Sequence, residues 1–192
     1  RRLLGHLNVS ELPYPSWVEI ETDQTITSTV QGRGTRRIIS SAGSKKQITF
    51  NLTSGVTCIA GGGLFKDIVF LSLSPTTYEF GRASTSGYHS HNSATFYNCV
   101  IKDFKALGVG FSRKFDAILY NSIVENVRVP SSIYGFAANA IVGNNSPVTA
   151  RNCIFKNCGY IPDHRSSAYG CIFKGDGNYQ FANKMRVKRC VI

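Results

Sequence analysis

The sequence predicts an all-β fold, a right-handed single-stranded parallel β-helix, or solenoid, in which short strands coil around one axis. An internal repeat is the first observation: residues 94–104, 117–127 and 148–158 share Asn, then Cys or Ser, two apolar residues, a charged residue, and Asn or Asp. The second is spacing, because steps of 23, 31, 18 and 19 residues separate the Cys or Ser at 99, 122, 153, 171 and 190. Third, the repeats are apolar and β-branched without helical periodicity.

The shared motif of the repeats, called the kernel below, follows from the way in which coils stack. One coil cannot bury its own apolar face, so each strand pairs with the coil above and the coil below. Equivalent side chains then form ladders with a spacing of about 4.8 Å along the axis. Asn tolerates a left-handed backbone at a tight corner, and its amide can bond to the next Asn. We therefore expect Asn98, Asn121 and Asn152 at corners, each followed by a small inward side chain.

Four of the six cysteines occupy that small kernel position: Cys99, Cys153, Cys171 and Cys190. Neighbouring side chains of a ladder point the same way, which does not suit disulfide geometry. We expect buried free thiols and assembly in a reducing compartment. No CxxC pair occurs, and the sequence predicts no metal site and no cofactor.

Before residue 94 the repeat is blurred, although strand-like segments continue. Residues 17–21 and 48–52 alternate in polarity, and apolar runs cover 56–60 and 64–73. We predict an N-terminal arm or cap over residues 1–16 and one β-helix domain over 17–192. The first residue is not Met and the last residues are strand-like, so we expect this chain to be part of a longer polypeptide.

The net charge of the chain indicates which classes of partner to expect. Twenty-two Lys and Arg against eleven Asp and Glu give a net charge of +11, which favours anionic glycan, nucleic acid or an acidic protein surface. The basic residues are scattered and form no long run with interleaved aromatics, so nucleic-acid contact is not favoured. No apolar run reaches the roughly 18 residues of a spanning helix, and no membrane partner is predicted.

The stacked kernels resemble the pectate-lyase-like β-helix superfamily, over about residues 48–192. That resemblance implies a structural or receptor- or glycan-binding component of a virus or phage particle, such as a tail spike. Its partners would be other particle subunits or anionic glycan, with a homotrimer typical, and it would belong to a virion assembled in a reducing cytoplasm. A polysaccharide lyase or glycoside hydrolase is one alternative, and a secreted or cell-surface adhesin is another. We favour the non-catalytic particle component.

Catalytic candidates are weak. Glycoside hydrolysis needs two carboxylates about 5–9.5 Å apart, and Asp103 and Glu125 lie one position apart on adjacent coils. Lys102 and Lys156 flank them, so an ordinary charge ladder is the favoured interpretation. A lyase would need a calcium-binding acidic cluster, and none is visible.

The most distinctive polar segment is Tyr-His-Ser-His-Asn at residues 88–92. Its aromatic and imidazole groups suit glycan, and two His at alternate positions suit a metal, whereas solvated loop residues are the plainer interpretation. A second polar site is Arg-Lys at 113–114. The candidate glycan- or partner-binding residues are therefore Tyr88, His89, His91, Arg113 and Lys114.

Overall fold

The computed structural model describes residues 2–3, 17–31, 37–40, 44–54, 57–60, 62–82, 91–109, 114–127, 148–158, 166–175 and 185–192. Regular structure in these ranges is β-strand throughout, and every strand pair among them is parallel. No helix within them has the length and hydropathy to cross a membrane.

The strands follow one another at short intervals. They are β1 (Arg2–Leu3), β2 (Trp17–Ile20), β3 (Gln24–Ile26), β4 (Val30–Gln31), β5 (Arg37–Ser40), β6 (Lys46–Phe50), β7 (Thr57–Ala60), β8 (Gly63–Lys66), β9 (Ile68–Ser72), β10 (Glu79–Arg82), β11 (His91–Tyr97), β12 (Val100–Lys102), β13 (Ala106–Val109), β14 (Lys114–Tyr120), β15 (Ile123–Glu125), β16 (Val148–Arg151), β17 (Ile154–Lys156), β18 (Ser167–Tyr169), β19 (Ile172–Lys174) and β20 (Arg186–Lys188).

Three sheets share these strands. The first has the order β1-β2-β5-β8-β11-β14-β16-β18-β20, the second β19-β17-β15-β12-β9-β6-β3, and the third β13-β10-β7-β4. From β2 to β13 the chain visits the first, second and third sheets in turn, and each strand pairs with its equivalents on the coils before and after. This connectivity is that of a parallel β-helix and confirms the predicted all-β, parallel fold class. The right-handed sense and the closed solenoid stay predictions.

The segment predicted as an N-terminal arm contributes to the first sheet. Arg2–Leu3 pairs in parallel with β2, where Leu3 lies opposite Ile20. The rest of residues 1–16 lies outside the described residues. The first sheet therefore begins one strand before the predicted domain boundary at residue 17.

The core runs along the axis and is filled by inward side chains that alternate with outward ones. In one coil Phe65, Phe70 and Phe80 come from the first, second and third sheets respectively, and all three are buried. The centroids of Phe65 and Phe70 are 5.6 Å apart, and those of Phe70 and Phe80 are 5.0 Å apart. Stacking continues between coils, because Phe96 lies 5.1 Å from Phe65 with nearly parallel rings. Aromatic contact thus joins both sheets and coils.

Asparagines occupy the corners, as predicted. Asn98, Asn121 and Asn152 have φ values of 51°, 50° and 53°, in the left-handed region that Asn tolerates better than most residues. They follow the strands of the first sheet, and the Asn98 amide donates to the Asp67 carboxylate at 2.7 Å. A second column of corner residues follows the strands of the second sheet, and we call it the second corner file: Asp103, Asn126 and Asn157. In it the Asn126 side chain donates to Asp103 at 3.0 Å, and the Asn157 side chain donates to Asn126 at 3.2 Å.

A glycine replaces asparagine where the next coil continues the first corner. Gly170 has a φ of 63°, and a Cβ built on it would lie 2.7 Å from Oδ1 of Asn152. The amide of the preceding coil therefore occupies the space that a side chain would need. This contact explains why the kernel reads Tyr-Gly-Cys at residues 169–171.

The small kernel residues point inward. Cys99, Ser122, Cys153 and Cys171 are buried, as predicted, while Cys190 on the last described coil is half-buried. All six cysteines are free thiols in the structure. Burial raises the pKa of Cys99 to about 12. The hydrogen bond that joins the Cys153 and Cys171 thiols raises the pKa of Cys153 and lowers that of Cys171.

Candidate binding face

The residue that precedes each first corner points outward and forms a continuous column. Its members alternate with buried neighbours such as Phe65, Phe96 and Leu119, so they face away from the core. Strand register places them opposite one another on successive coils. We call this column the tyrosine–cation ladder: Lys66, Tyr97, Tyr120, Arg151, Tyr169 and Lys188.

Its aromatic rings are packed against side chains of neighbouring coils. The Tyr97 and Tyr120 centroids are 4.8 Å apart with an interplanar angle of 9°, so each ring covers one face of the other. The guanidinium of Arg189 lies 5.6 Å from the centroid of Tyr169. Tyr97 is 37% exposed and Tyr169 is 41% exposed. Each of these contacts covers one face of the ring concerned, and the tyrosines remain partly exposed to solvent.

Two further outward columns border the ladder. On the first sheet, two residues before each ladder position, register aligns Leu64, Thr95, Ile118, Thr149, Ser167 and Arg186. On the other side, past the corner, the outward column of the second sheet is aliphatic: Val69, Val100, Ile123, Ile154 and Ile172. The bordering columns are therefore uncharged from Lys66 to Tyr169, and Arg186 adds a cation beside Lys188.

Positive charge is concentrated in the later coils. Residues 126–192 contain nine Lys and Arg against two Asp and no Glu. In the described part of 148–192 no side chain is acidic, and these basic ones lie at least partly exposed: Arg151, Lys156, Lys174, Arg186, Lys188 and Arg189. By contrast, Lys66 at the early end of the ladder has the Asp67 carboxylate 3.9 Å away. The later end of the ladder is thus its most positive part.

The predicted catalytic candidates belong to different ladders. The Asp103 backbone N–H donates to the Glu125 carbonyl at 3.1 Å, so the two residues are on adjacent coils. The Asp103 carboxylate accepts from Asn126 in the second corner file. The Glu125 carboxylate pairs with Lys156 at 2.6 Å, in an outward column that also contains Lys102. Each carboxylate therefore contacts a donor on the following coil.

The predicted binding residues are only partly within the described chain. Tyr88, His89 and Arg113 lie outside the described residues. His91 and Lys114 begin β11 and β14, and their Cα atoms are register partners. The backbone thus places these two positions side by side on neighbouring coils, and their side chains are outside the described part.

Metal ligation finds no support in the described residues, since no group of three His, Cys, Asp or Glu side chains there is placed to hold an ion. The buried Cys99 thiol is also poorly suited to reaction with outside partners, because its raised pKa keeps the sulfur protonated.

The sequence analysis missed the tyrosine–cation ladder, although the kernel alignment contained its signal. Tyr97, Tyr120 and Arg151 each stand directly before a kernel Asn, and Tyr169 and Lys188 hold the equivalent place. Period-two alternation from the inward Cys or Ser would have placed all of them on the outer surface.

Comparisons of the chain with protein-family models, with curated proteins and with solved structures each found no match. The resemblance to the pectate-lyase-like superfamily therefore stays a prediction drawn from the kernels alone.

Proposed function

We propose that this chain is a non-catalytic structural or attachment component, a rigid β-helix that binds an anionic glycan through the tyrosine–cation ladder. The observation that carries the proposal is the ladder itself, an outward row of cations and tyrosines whose later end lies in the most positive part of the described residues. Cationic groups favour sulfate or carboxylate, and hydroxyls add hydrogen bonds to the same oxygen atoms.

The fold suits such a role because the ladder stands on paired strands. Every ladder residue is the last residue of a strand of the first sheet, so the backbone beneath it is held by neighbouring coils. A side chain presented by a rigid element loses less freedom on binding than one presented by a loop. A long ligand can therefore contact several coils without ordering the protein first.

A non-catalytic role agrees with the surroundings of Asp103 and Glu125. Their carboxylates contact Asn126 and Lys156 respectively, contacts that tie consecutive coils together. A catalytic acid and base need to exchange protons with substrate instead. The alternative of a polysaccharide lyase or hydrolase predicts unsaturated products or new reducing ends after incubation with acidic polysaccharide. Turnover that is lost in Asp103→Asn or Glu125→Gln would replace the binding proposal with that one.

Membership of a virus or phage particle, with other particle subunits as partners and a possible trimer, is the wider proposal and rests on the kernel resemblance. Co-sedimentation with particles, together with the molar mass of the purified chain by light scattering, tests it. A chain that remains monomeric and free of particles would contradict this part while leaving glycan binding open.

The direct test is equilibrium binding to a sulfated or carboxylated polysaccharide, with a neutral polysaccharide of equal length as reference. Arg151→Gln removes the central cation of the ladder and is expected to weaken binding about tenfold. Lys174→Gln is the matched control, because it removes an equal charge from an exposed residue of the second sheet. Equal losses in the two variants would mean that overall charge binds the glycan and the ladder does not.

A further inference from the structure

We infer that the outward face of the second sheet docks on an anionic lipid bilayer, with its aliphatic side chains among the lipid headgroups and its cations against their anionic groups. The inference goes beyond the proposed function, because it assigns a different face and a different ligand. It departs from the expectation of no membrane partner, which rested on the lack of a spanning segment, since peripheral contact needs none. The exposure, charge and size of the face each support it.

The face consists of two outward columns on neighbouring positions of the same strands. One is the aliphatic column, whose most exposed member is Ile172, at 41%. Val191 continues that column by a parallel bridge to Ile172. Two residues further along each strand, register aligns a second column, called the charged column below: Lys102, Glu125, Lys156 and Lys174. An apolar row beside cations is the arrangement by which peripheral segments bind anionic membranes.

Cations lie on both sides of Ile172. Lys174 comes two residues after it on the same strand, and Arg189 comes two residues before its bridge partner Val191. Among the described residues of 148–192 no side chain is acidic. An anionic surface that contacts Ile172 therefore meets positive charge on either side of it, and each such cation adds to the attraction.

The corner cation Arg189 has a backbone conformation that arginine rarely adopts. Its φ is 53°, in the left-handed region that is costly for residues other than glycine, asparagine and aspartate. The equivalent corners of the earlier coils use those three residue types: Asp67, Asn98, Asn121, Asn152 and Gly170. A cation is thus placed between the ladder and the aliphatic column despite the steric cost, which marks this corner as a functional position.

A second copy of this chain fits the face poorly. Two such faces packed together at their later ends would bring Lys174 and Arg189 of both copies close to one another. No acidic side chain among the described residues of 148–192 is present to pair with them. Like charges placed together at an interface are repulsive, so charge favours an anionic partner over another copy.

The size of the face favours lipid over a folded acidic protein. Val69 and Ile172 are four coil spacings apart, about 19 Å, and the two columns are about 7 Å apart along the strands. With the width of the side chains, the face covers on the order of 200 Å², whereas a stable protein interface buries about 800 Å² on each partner. Lipid contact combines apolar insertion with the attraction of several cations and does not need that area.

Flotation of the full chain with phospholipid vesicles tests the inference. Vesicles that contain phosphatidylserine should carry the protein, and vesicles of phosphatidylcholine alone should not. Ile172→Ser should weaken binding about tenfold. Leu73→Ser is its matched control, because Leu73 is an aliphatic residue that is 57% exposed and lies outside both columns. Lys174→Gln should weaken binding about fivefold, and Lys66→Gln, which removes the same charge at the early end of the ladder, should have a smaller effect.

Insertion of the aliphatic column has its own readout. Ile172→Trp keeps an apolar side chain at this position. Its fluorescence should shift to shorter wavelength on anionic vesicles and be quenched by brominated acyl chains. Trp17, the only tryptophan of the sequence, supplies the background in the unchanged protein, and Leu73→Trp is the matched control. This variant also decides the question should Ile172→Ser fail to fold, which circular dichroism would show.

Several outcomes would overturn the inference. Equal losses in Lys174→Gln and Lys66→Gln would mean that net charge alone binds the vesicles. Unchanged binding of Ile172→Ser, or Ile172→Trp fluorescence that is not quenched, would remove the aliphatic column from the contact. A dimer in light scattering that Ile172→Ser dissociates would assign the face to a second copy, and tighter binding of an acidic amphipathic peptide would assign it to an acidic protein. Glycan binding is measured separately, so none of these outcomes decides the proposed function.

Discussion

Two regions of the chain build equivalent coils from different residues. Coils within residues 17–82 are filled by large rings, with Phe50, Phe65, Phe70 and Phe80 all buried. Coils within 94–192 carry the repeated kernel and bury smaller groups beside their aromatics, such as Cys153, Ala150 and Ala168. Both regions nevertheless join the same first and second sheets in continuous register.

The comparison indicates which positions the fold restricts. A strand interior accepts any apolar residue that fills the available volume, so sequence similarity is lost there between coils. A corner needs left-handed backbone, which few residues adopt at low cost. Six Asx residues with positive φ lie in the kernels of residues 94–158, whereas in the described part of 17–82 only Asp67 has this conformation among non-glycine residues. The repeat that is visible in the sequence is therefore caused by the backbone conformation that the corners require.

Removing a ring should show how strongly the early coils depend on aromatic volume. Phe70 is 1% exposed and lies against Phe50, Phe65, Phe80 and Phe96. Phe70→Ala should lower the free energy of unfolding by about 3–5 kcal/mol. Phe155→Ala is the late-coil counterpart: Phe155 stacks on Phe173, and it should cost less because the late coils also bury small side chains such as Ala150 and Ala168. Urea unfolding of both variants measures the difference. An equal or larger loss for Phe155→Ala would remove this distinction.

The corner interpretation is tested at Asn126, whose φ is 52° and whose amide donates to Asp103 and accepts from Asn157. Asn126→Ala keeps the left-handed strain and loses both hydrogen bonds, so it should destabilise by about 1–2 kcal/mol. Asn126→Gly removes the strain and should cost less, under about 1 kcal/mol. If thermal unfolding ranks alanine above glycine in stability, backbone conformation does not select the corner residue.

The thiol column should give the late coils a dependence on alkaline pH. Burial raises the pKa of Cys99 from 9.0 to about 12. Above pH 9 the thiol of the unfolded chain ionises while the folded one stays protonated, so this stabilising contribution is complete below pH 9 and is lost as pH rises toward 12. Cys99→Ser inserts the residue that Ser122 already supplies to the column and does not titrate. The stability difference between the two proteins should shrink over that pH range, and a constant difference would contradict the assignment.

The smallest effect is expected at the outer surface. Lys156 and Glu125 form an ion pair at 2.6 Å, but their side chains are 44% and 27% exposed. Lys156→Met should change stability by less than about 1 kcal/mol, and added salt should reduce that change further. A loss as large as that of Asn126→Ala would show that this pair holds the coils together as strongly as the corners do.

Sequence reasoning reached the fold, the corner asparagines and the burial of Cys99, Cys153 and Cys171, because each depends on the local backbone and on a repeat of a few residues. It could not align the earlier coils, since no Asn-Cys or Asn-Ser pair precedes β6 or β9, although register places Ile48 opposite Phe70 and Phe70 opposite the kernel residue Ile101. It also overlooked the tyrosine–cation ladder, whose members differ in residue type and share only a register position. Such a column can be recognised only when the strand register between coils is known.

The second corner file has a direction that its residue types explain. Asn157 donates to Asn126, Asn126 donates to Asp103, and Gly175 follows Asn157 with a φ of 97°. An ionised carboxylate only accepts, so Asp103 can begin the series, while Gly175 has no side-chain amide with which to continue it. The series of side-chain hydrogen bonds thus begins at an aspartate and ends before a glycine. A designer who wished to lengthen this stack of coils would insert new coils between those two residues, each with asparagine at the corner.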